Sequence, residues 1–407
     1  ITSKFRIHNA TSFKEGFSEA DPSKMYLFVG RPQPWANDLV PDTPKDNVLA
    51  ENLAWRDMIA MKQIQQDDVS LAIRRINWTA GKYYDMYRHN YSGLIEQGVD
   101  YNTGVPTARA SLFDANYYVI NSNYEVYKCL NNKAVNNTIL PASVEPFGLG
   151  GYAPFTTSDG YTWQYMYTVS PADIIKFAST DFIPVNTLTT SPTVGAPYYT
   201  QWQTQLAAAD GSIDVIEIVN GGAAYTETPT IQIVGDGSDA AATPIMDEGV
   251  IVGINITNPG TGYRFATINV VPTGAGGSGA ELVAQIAPKG GHGKNAIEEL
   301  GGYYTIMNVR LEYADGLGDF PVDNDYRRIG IIKDPYNYST TTVSTATTLK
   351  ATYSLTLNVT GTIPDFEIDE QIVSSGNGAT ATVVSWDQPT GVLRYIKTDD
   401  DNTYTFT

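Results

Sequence analysis

Apolar positions along this chain come in short runs and alternations rather than in long helical stripes. "MYLFVG" (25–30) is a nearly continuous apolar run and predicts a buried strand, after which "RPQPW" (31–35) holds the backbone extended through its two prolines. The best helical spacing lies over 47–62, where Leu49, Leu53, Met58, Ile59 and Lys62 recur near the period of a helix. The rest of residues 1–50 alternates small apolar pieces with turn signals, and "DVSLAIRRINW" (68–78) reads as extended. "FDANYYVINSNYEVYKCL" (113–130) predicts a hairpin turning at Asn121, Ser122 and Asn123, whose side chains favour turns and tolerate positive φ. In "DGYTWQYMYTV" (159–169) a turn dipeptide opens a strand, and alternation sets Tyr161, Trp163, Tyr165 and Tyr167 on one face. "SPADIIKF" (170–177) predicts a short helix capped by Ser170, with Pro171 in its first turn.

Residues 213–288 repeat a pattern. "NGGAAYTETPTIQIVGDGSDAAA" (220–242) returns as "NPGTGYRFATINVVPTGAGGSGA" (258–280), and aligning Ile216 with Ile254 brings Tyr225 onto Tyr263. Each copy holds two or three short strands with too little apolar surface to stand alone, so the copies are expected to stack on one another. Strands resume in "YYTIMNVRLEY" (303–313) and "RRIGIIKD" (327–334). The run "STTTVSTATT" (339–348) reads as a flexible connector, and "YSLTLNV", "QIVSSGNGATATVVSW" and "GVLRYIK" follow. The expected class is mainly β: a multi-domain β-sandwich core with few short helices, an inserted tandem β-repeat module and a C-terminal β module. The expected boundaries are 1–205 and 289–340 for the core, 206–288 for the insertion and 349–407 for the last module.

Composition narrows the chemistry. The 407 residues are 42% hydrophobic, and no apolar run approaches the ~20 residues of a membrane-spanning helix. The first residues, "ITSKFRIHNA", lack the apolar core of a secretion signal. The absence of an initial Met, and of an end signal in "TDDDNTYTFT", leads us to expect further residues beyond either end. Cys129 is the single cysteine, which excludes an intrachain disulfide, disfavours a thiolate metal site and fits a reducing compartment. A net charge of −18 repels phosphate backbones, and Arg74-Arg75 is too small a cluster to reverse that, so no nucleic-acid partner is expected.

The motifs that suggest catalysis or cofactor binding fail on inspection. "GAGGSG" (274–279) matches the glycine spacing of a dinucleotide loop, but "AELVAQIAP" follows it as a strand ending in Pro, where that loop needs a helix. "GGHGK" (290–294) has Pro288 and Asn295 where a phosphate loop needs Gly and Ser or Thr, and reads as a mobile or partner-contacting turn. His8, His89 and His292 share no ligand spacing, and no nucleophile elbow is present. The adjacent carboxylates Asp67-Asp68 and Glu298-Glu299 point apart and read as solvated. The aromatic face of Tyr161 and Trp163 ranks as core first, protein interface second and glycan platform third.

The ordered series "ITSKFR", "FVGRPQPW", "DVSLAIRRINW", "YYVINSNYEVYKCL" and "DGYTWQYMYTVSPADI" resembles the baseplate wedge subunit (gene product eight) family of contractile-tailed bacteriophages. The likeness covers residues 1 to about 185 and resumes near "PKGGHGKNAIEEL" (288–300); the repeats and the last module look like additions. The resemblance implies β-sandwich layers, a homodimer, other baseplate wedge proteins as partners, a place in the virion tail baseplate after assembly in the host cytoplasm, and no catalysis, cofactor, metal or membrane insertion. Arg31, Pro32, Trp35, Arg74, Arg75, Trp78, Tyr161 and Trp163 stand at the matching motif positions, where the role implied is core or interface. Tyr225 and Tyr263 are the candidate contacts of the repeats. A glycan- or receptor-binding tail module is the alternative function, and a wall-degrading enzyme is the third.

Overall fold

The computed structural model describes residues 2–45, 47–94, 96–132, 139–148, 152–311, 325–337, 340–358 and 365–396. The protein is mainly β, with short helices and several small antiparallel sheets. Its contacts divide it into one unit of Ile1–Lys14 with Ser70–Ile306 and a second of Glu15–Val69 with Met307–Thr407.

The first unit opens on a helix that the apolar pattern misses, α1 (Ser3–Glu15). It buries only Ile7 and Ala10, and its Ser, Thr and Asn residues are poor helix formers, so neither an apolar stripe nor propensity announces it. The centre of the unit is a four-stranded sheet ordered β6 (Tyr118–Ile120), β7 (Glu125–Asn131), β9 (Thr162–Thr168), β8 (Phe155–Thr156). A three-stranded sheet places β3 (Val69–Arg74) between β10 (Phe182–Pro184) and β17 (Tyr304–Met307), and β4 (Gly98–Val99) pairs with β5 (Pro106–Thr107). The expected hairpin forms between β6 and β7. Asn121 Oδ1 accepts from the Asn123 and Glu125 amides, while the positive φ falls on Tyr124 rather than on an Asn.

Helix α3 (Pro171–Phe177) forms as expected, with the Ser170 side chain accepting from the Asp173 amide. Helix α4 (Tyr199–Ala207) has no apolar stripe to betray it. It buries Gln201, Thr204 and Gln205, and the two glutamine amides bond the backbone at Asn186 and Leu188. Helix α5 (Ala296–Leu300) starts at an Asn295 cap, in a segment where no helix is expected.

The repeats do not stack as two units. Strands β11 (Ile213–Ala223), β12 (Thr230–Gly235) and β13 (Ala241–Asp247) belong to the first copy, and β14 (Val250–Asn258), β15 (Ala266–Val271) and β16 (Ser278–Ile286) to the second. The pairs are β11 with β16, β12 with β15 and β13 with β14, so every ladder runs between copies. Three two-stranded ribbons thus surround one core under a pseudo-twofold. That core takes Ile213, Ile216, Ile218, Tyr225 and Ile231 from one copy and Ile251, Tyr263, Leu282, Ala284 and Ile286 from the other. Separated copies would each return five such side chains to water, at about 1.5–3 kcal/mol for a fully buried large aliphatic one, which is why the copies interdigitate. The link between them is a tight turn with φ of 47° at Glu248 and 79° at Gly249.

In the second unit, β1 (Met25–Gly30) lies between β18 (Arg328–Lys333) and β2 (Met58–Gln63) in an antiparallel sheet. The helix expected over 47–62 is cut short. Asn47 caps α2 (Val48–Asp57), and from Met58 the chain turns extended to pair with β1, so a tertiary ladder overrides the helical spacing. The expected connector at 339–348 is tied down where it is described. Ser344 is fully buried, and Tyr26 Oη donates to its carbonyl at 3.3 Å. The last sheet is ordered β19 (Tyr353–Thr356), β22 (Val392–Ile396), β21 (Thr380–Asp387), β20 (Gln371–Val373), around Ala381, Val383, Leu393 and Tyr395.

Candidate assembly surfaces

The aromatic strand lies in the core. Tyr161 and Trp163 are fully buried and stack at 5.6 Å, with Tyr84 edge-on to both. The other side of β9 is also covered, since Gln164 and Met166 are buried, so no ring face is open to a sugar or a partner. Arg74 donates to the carbonyls of Phe113 and Ala115, and Arg75 to that of Ser179, so this pair ties loops together rather than forming a basic patch. Trp78 packs half-buried against the same core.

Tyr225 and Tyr263, expected as contacts, are 7% and 5% exposed. Each ring fills space left by a glycine of the other copy. A Cβ on Gly277 would lie 2.7 Å from Tyr225 Cγ, and one on Gly237 would overlap the Tyr263 ring. Their amides bond the carbonyls of Gly249 and Gly211 at 3.1 and 3.2 Å. These tyrosines lock the copies together, and the Gly-rich turns are their sockets.

Two sequence readings near the base of the module are overturned. The "GGHGK" turn is neither mobile nor open, because His292 is buried against Tyr87 and Gly291 abuts the Ala209 backbone. Glu299 is likewise not solvated. It pairs with the fully buried Lys128 of β7 and accepts from the amides of Gly293 and Asn295. Burial, and then the charge on Lys128, holds His292 well below its usual pKa, while burial raises Asp214. Module and core are also joined by a forked Arg88–Glu217 pair and by His89 to Gln285 at 3.1 Å. A groove of about 560 Å³ beside β9 and β14 is lined by residues such as Thr162, Asp214, Glu217 and Asn255, with no aromatic ring among the described residues of its walls. Among the described residues, no group of three or more His, Cys, Asp or Glu is placed to hold a metal ion. None of the helices among them is long and apolar enough to cross a membrane.

The partly open cluster is in the second unit, at the end of β1. Gly30 runs so close to the Asp57 carbonyl that a Cβ there would overlap it, and Arg31 follows with a φ of 54°. A left-handed arginine is strained, and it is held by backbone bonds from Arg31 to the Asp57 carbonyl and from Arg327 to the Arg31 carbonyl. Its guanidinium lies 3.8 Å from the Trp35 ring centre, and that of Arg328 lies 5.5 Å from the same ring. Asp57 takes Arg31 at 3.4 Å, Arg56 at 2.9 Å and Arg328 at 3.4 Å. The Trp35 amide donates to Asp38, which this bond holds below its usual pKa and which pairs with Arg327 at 3.0 Å. Arg327 also donates to the Pro32 carbonyl. Of the motif residues, this notch unites Arg31, Pro32 and Trp35. Sequence reasoning missed Asp57, Arg327 and Arg328, which lie far away along the chain.

Comparison with known proteins adds a likeness over the first part of the chain. Residues 1–143 match the family model described as Bacteriophage T4, Gp8. The baseplate wedge protein gp8 of Enterobacteria phage T4 is 23% identical over 199 residues, which cover 46% of this chain and 60% of that protein. The alignment thus spans about three-fifths of that relative's length. The matched model holds the 25–35 and 68–78 motifs and ends before the aromatic strand.

Proposed function

We propose that the chain is a structural subunit of a contractile phage tail baseplate wedge, acting by protein–protein assembly without catalysis. The match of residues 1–143 to the Gp8 family carries this reading. In this reading residues 1–205 and 289–340 form the wedge core, and residues 206–288 and 349–407 are additions. The chain works as a homodimer among other wedge proteins, in the virion tail baseplate, after assembly in the host cytoplasm. A net charge of −18 helps keep free subunits apart before partners arrive. The glycan-binding alternative loses its residues, because Tyr225 and Tyr263 are buried and the groove has no ring to stack a sugar.

Gold-labelled antibodies against the purified chain test the location. Label at the tail end of virions is expected, and label on heads or on no particle refutes the reading. Light scattering tests the homodimer, which requires a mass of twice 44.3 kDa.

A further inference from the structure

We infer that the free edge of β18 is a self-association surface, to which a second copy of this chain adds its own β18 antiparallel. The inference rests on the homodimer reading above and assigns that dimer its contact. β18 is an outer strand of its sheet, and β1 fixes which of its residues bond inward. The Ile64 amide donates to the Met25 carbonyl, and the Asp334 amide to that of Lys24. Successive residues of an antiparallel strand bond to opposite sides, so Met25, Leu27 and Val29 face β2 while Lys24, Tyr26 and Phe28 face β18. The alternation breaks only beyond Gly30, at the left-handed Arg31. Tyr26 and Phe28 stand opposite Ile332 and Gly330, so the amides and carbonyls of Ile329 and Ile331 point away from the sheet. The same two residues carry exposed side chains, at 66% and 42%.

An edge of this kind invites another strand, and monomeric proteins blunt it with inward-pointing charges, bulges or prolines. The centre of β18 is Ile-Gly-Ile-Ile, with charges only at its ends. Pairing β18 with itself about a twofold at Gly330 sets Ile329 of each copy opposite Ile331 of the other. Both pairs are of the hydrogen-bonded kind, and their side chains meet on the face that carries Leu27. Gly330 opposes itself at the axis, where the strands come closest and a side chain would crowd them. At either end Lys333 comes opposite Arg327, which already holds Asp38 and Asp325 at 3.0 Å each. The Asp325 side chain is 80% exposed, and Lys333 is exposed with no ion pair of its own among the described residues. Two cations thus meet two carboxylates at each end. A twofold contact requires an edge complementary to itself, and β18 is so in both its apolar pairs and its charges.

The test is sedimentation velocity of the full chain over about 1–100 μM, the range expected of an interface at the small end of the size classes. Salt at about 150 mM screens the repulsion between two chains of −18. A monomer–dimer equilibrium is expected. Ile331→Asp sets a carboxylate opposite Ile329 at both symmetry-related places and should weaken the dimer about tenfold or more. Lys333→Asp and Asp325→Lys each bring like charges together, and each should weaken it. Combining Lys333→Asp with Asp325→Lys restores opposite charges and should recover part of the loss, which misfolding would not do. Val373→Asp changes an exposed apolar residue on another edge strand, β20, and should leave the dimer unchanged. A dimer that ignores Ile331→Asp, or a double variant no better than either single one, overturns the inference and leaves the homodimer standing. A monomer at every concentration overturns both. Virion labelling is independent of these outcomes, so the baseplate reading stands or falls separately.

Discussion

If the repeats are locked by tyrosines seated on glycines of the opposite copy, three alanine substitutions should separate the forces involved. Gly279 has a φ of 82° and open space, with nothing nearer than 4.0 Å to an added Cβ, so Gly279→Ala measures the backbone cost alone. That cost is about 1–2 kcal/mol for a left-handed residue. At Gly237 the structure shows no left-handed backbone, but a Cβ would strike the Tyr263 ring and the Thr261 carbonyl. Gly237→Ala must therefore unseat a buried ring, at about 2–3 kcal/mol. Gly277 combines a φ of 90° with a Cβ 2.7 Å from Tyr225 Cγ, so Gly277→Ala should cost about 3–5 kcal/mol. Hydrogen–deuterium exchange of peptides from β11 to β16 in the full chain reads this directly, because global melting of a two-unit protein need not be two-state. At about 1.4 kcal/mol per decade, Gly277→Ala should lower protection on both copies at least a hundredfold, and Gly279→Ala at most about thirtyfold. If Gly277→Ala costs no more than Gly279→Ala, or if only the second copy loosens, the reciprocal lock is wrong.

Three further outcomes follow from named contacts. Lys128→Met leaves the Glu299 carboxylate buried without its cation and should cost about 3–5 kcal/mol in denaturant unfolding; a change below 1 kcal/mol would mean that water reaches the pair. Ser170→Ala removes the acceptor for the Asp173 amide and should cost about 1 kcal/mol, seen as faster exchange in α3 alone. His292 has a folded pKa depressed below its usual 6.5, so the unfolded chain takes up the extra proton first. Stability should therefore fall as pH drops below 6.5, down to the folded pKa, and His292→Gln should flatten that slope in melts taken across this range. The raised pKa of Asp214 acts in the opposite sense, towards stabilisation as pH falls, and is common to both proteins.

Where side chains meet neighbours close in sequence, the sequence was readable. The Ser170 cap, the hairpin around Asn121 and the Gly-rich turns are all local devices, and their residues announce them. Illegible elements were those decided by distant partners. Residues 58–63 keep helical spacing yet pair with β1, α1 buries almost no stripe, and α4 is fixed by buried amides that no hydrophobicity pattern marks. The same divide runs through the notch. Arg31 and Trp35 sit in one recognisable motif, whereas Asp57 arrives from the end of α2 and Arg328 from nearly three hundred residues on.

The duplicated module carries this logic to its limit. A repeat visible in the sequence invites the picture of two small domains, but neither copy contains a strand pair of its own, and each tyrosine ring rests on a glycine of the other. The pattern that reveals the duplication therefore conceals the pairing, because the two halves carry equivalent surfaces and the alignment says nothing of which half each one faces. Sharing one core also closes the module on itself. Its junction with the rest of the unit combines polar ties, Arg88 to Glu217 and His89 to Gln285, with an apolar contact, Val215 of β11 packing into the main core. A module built this way keeps a core of its own and joins the rest of the unit through a few named contacts.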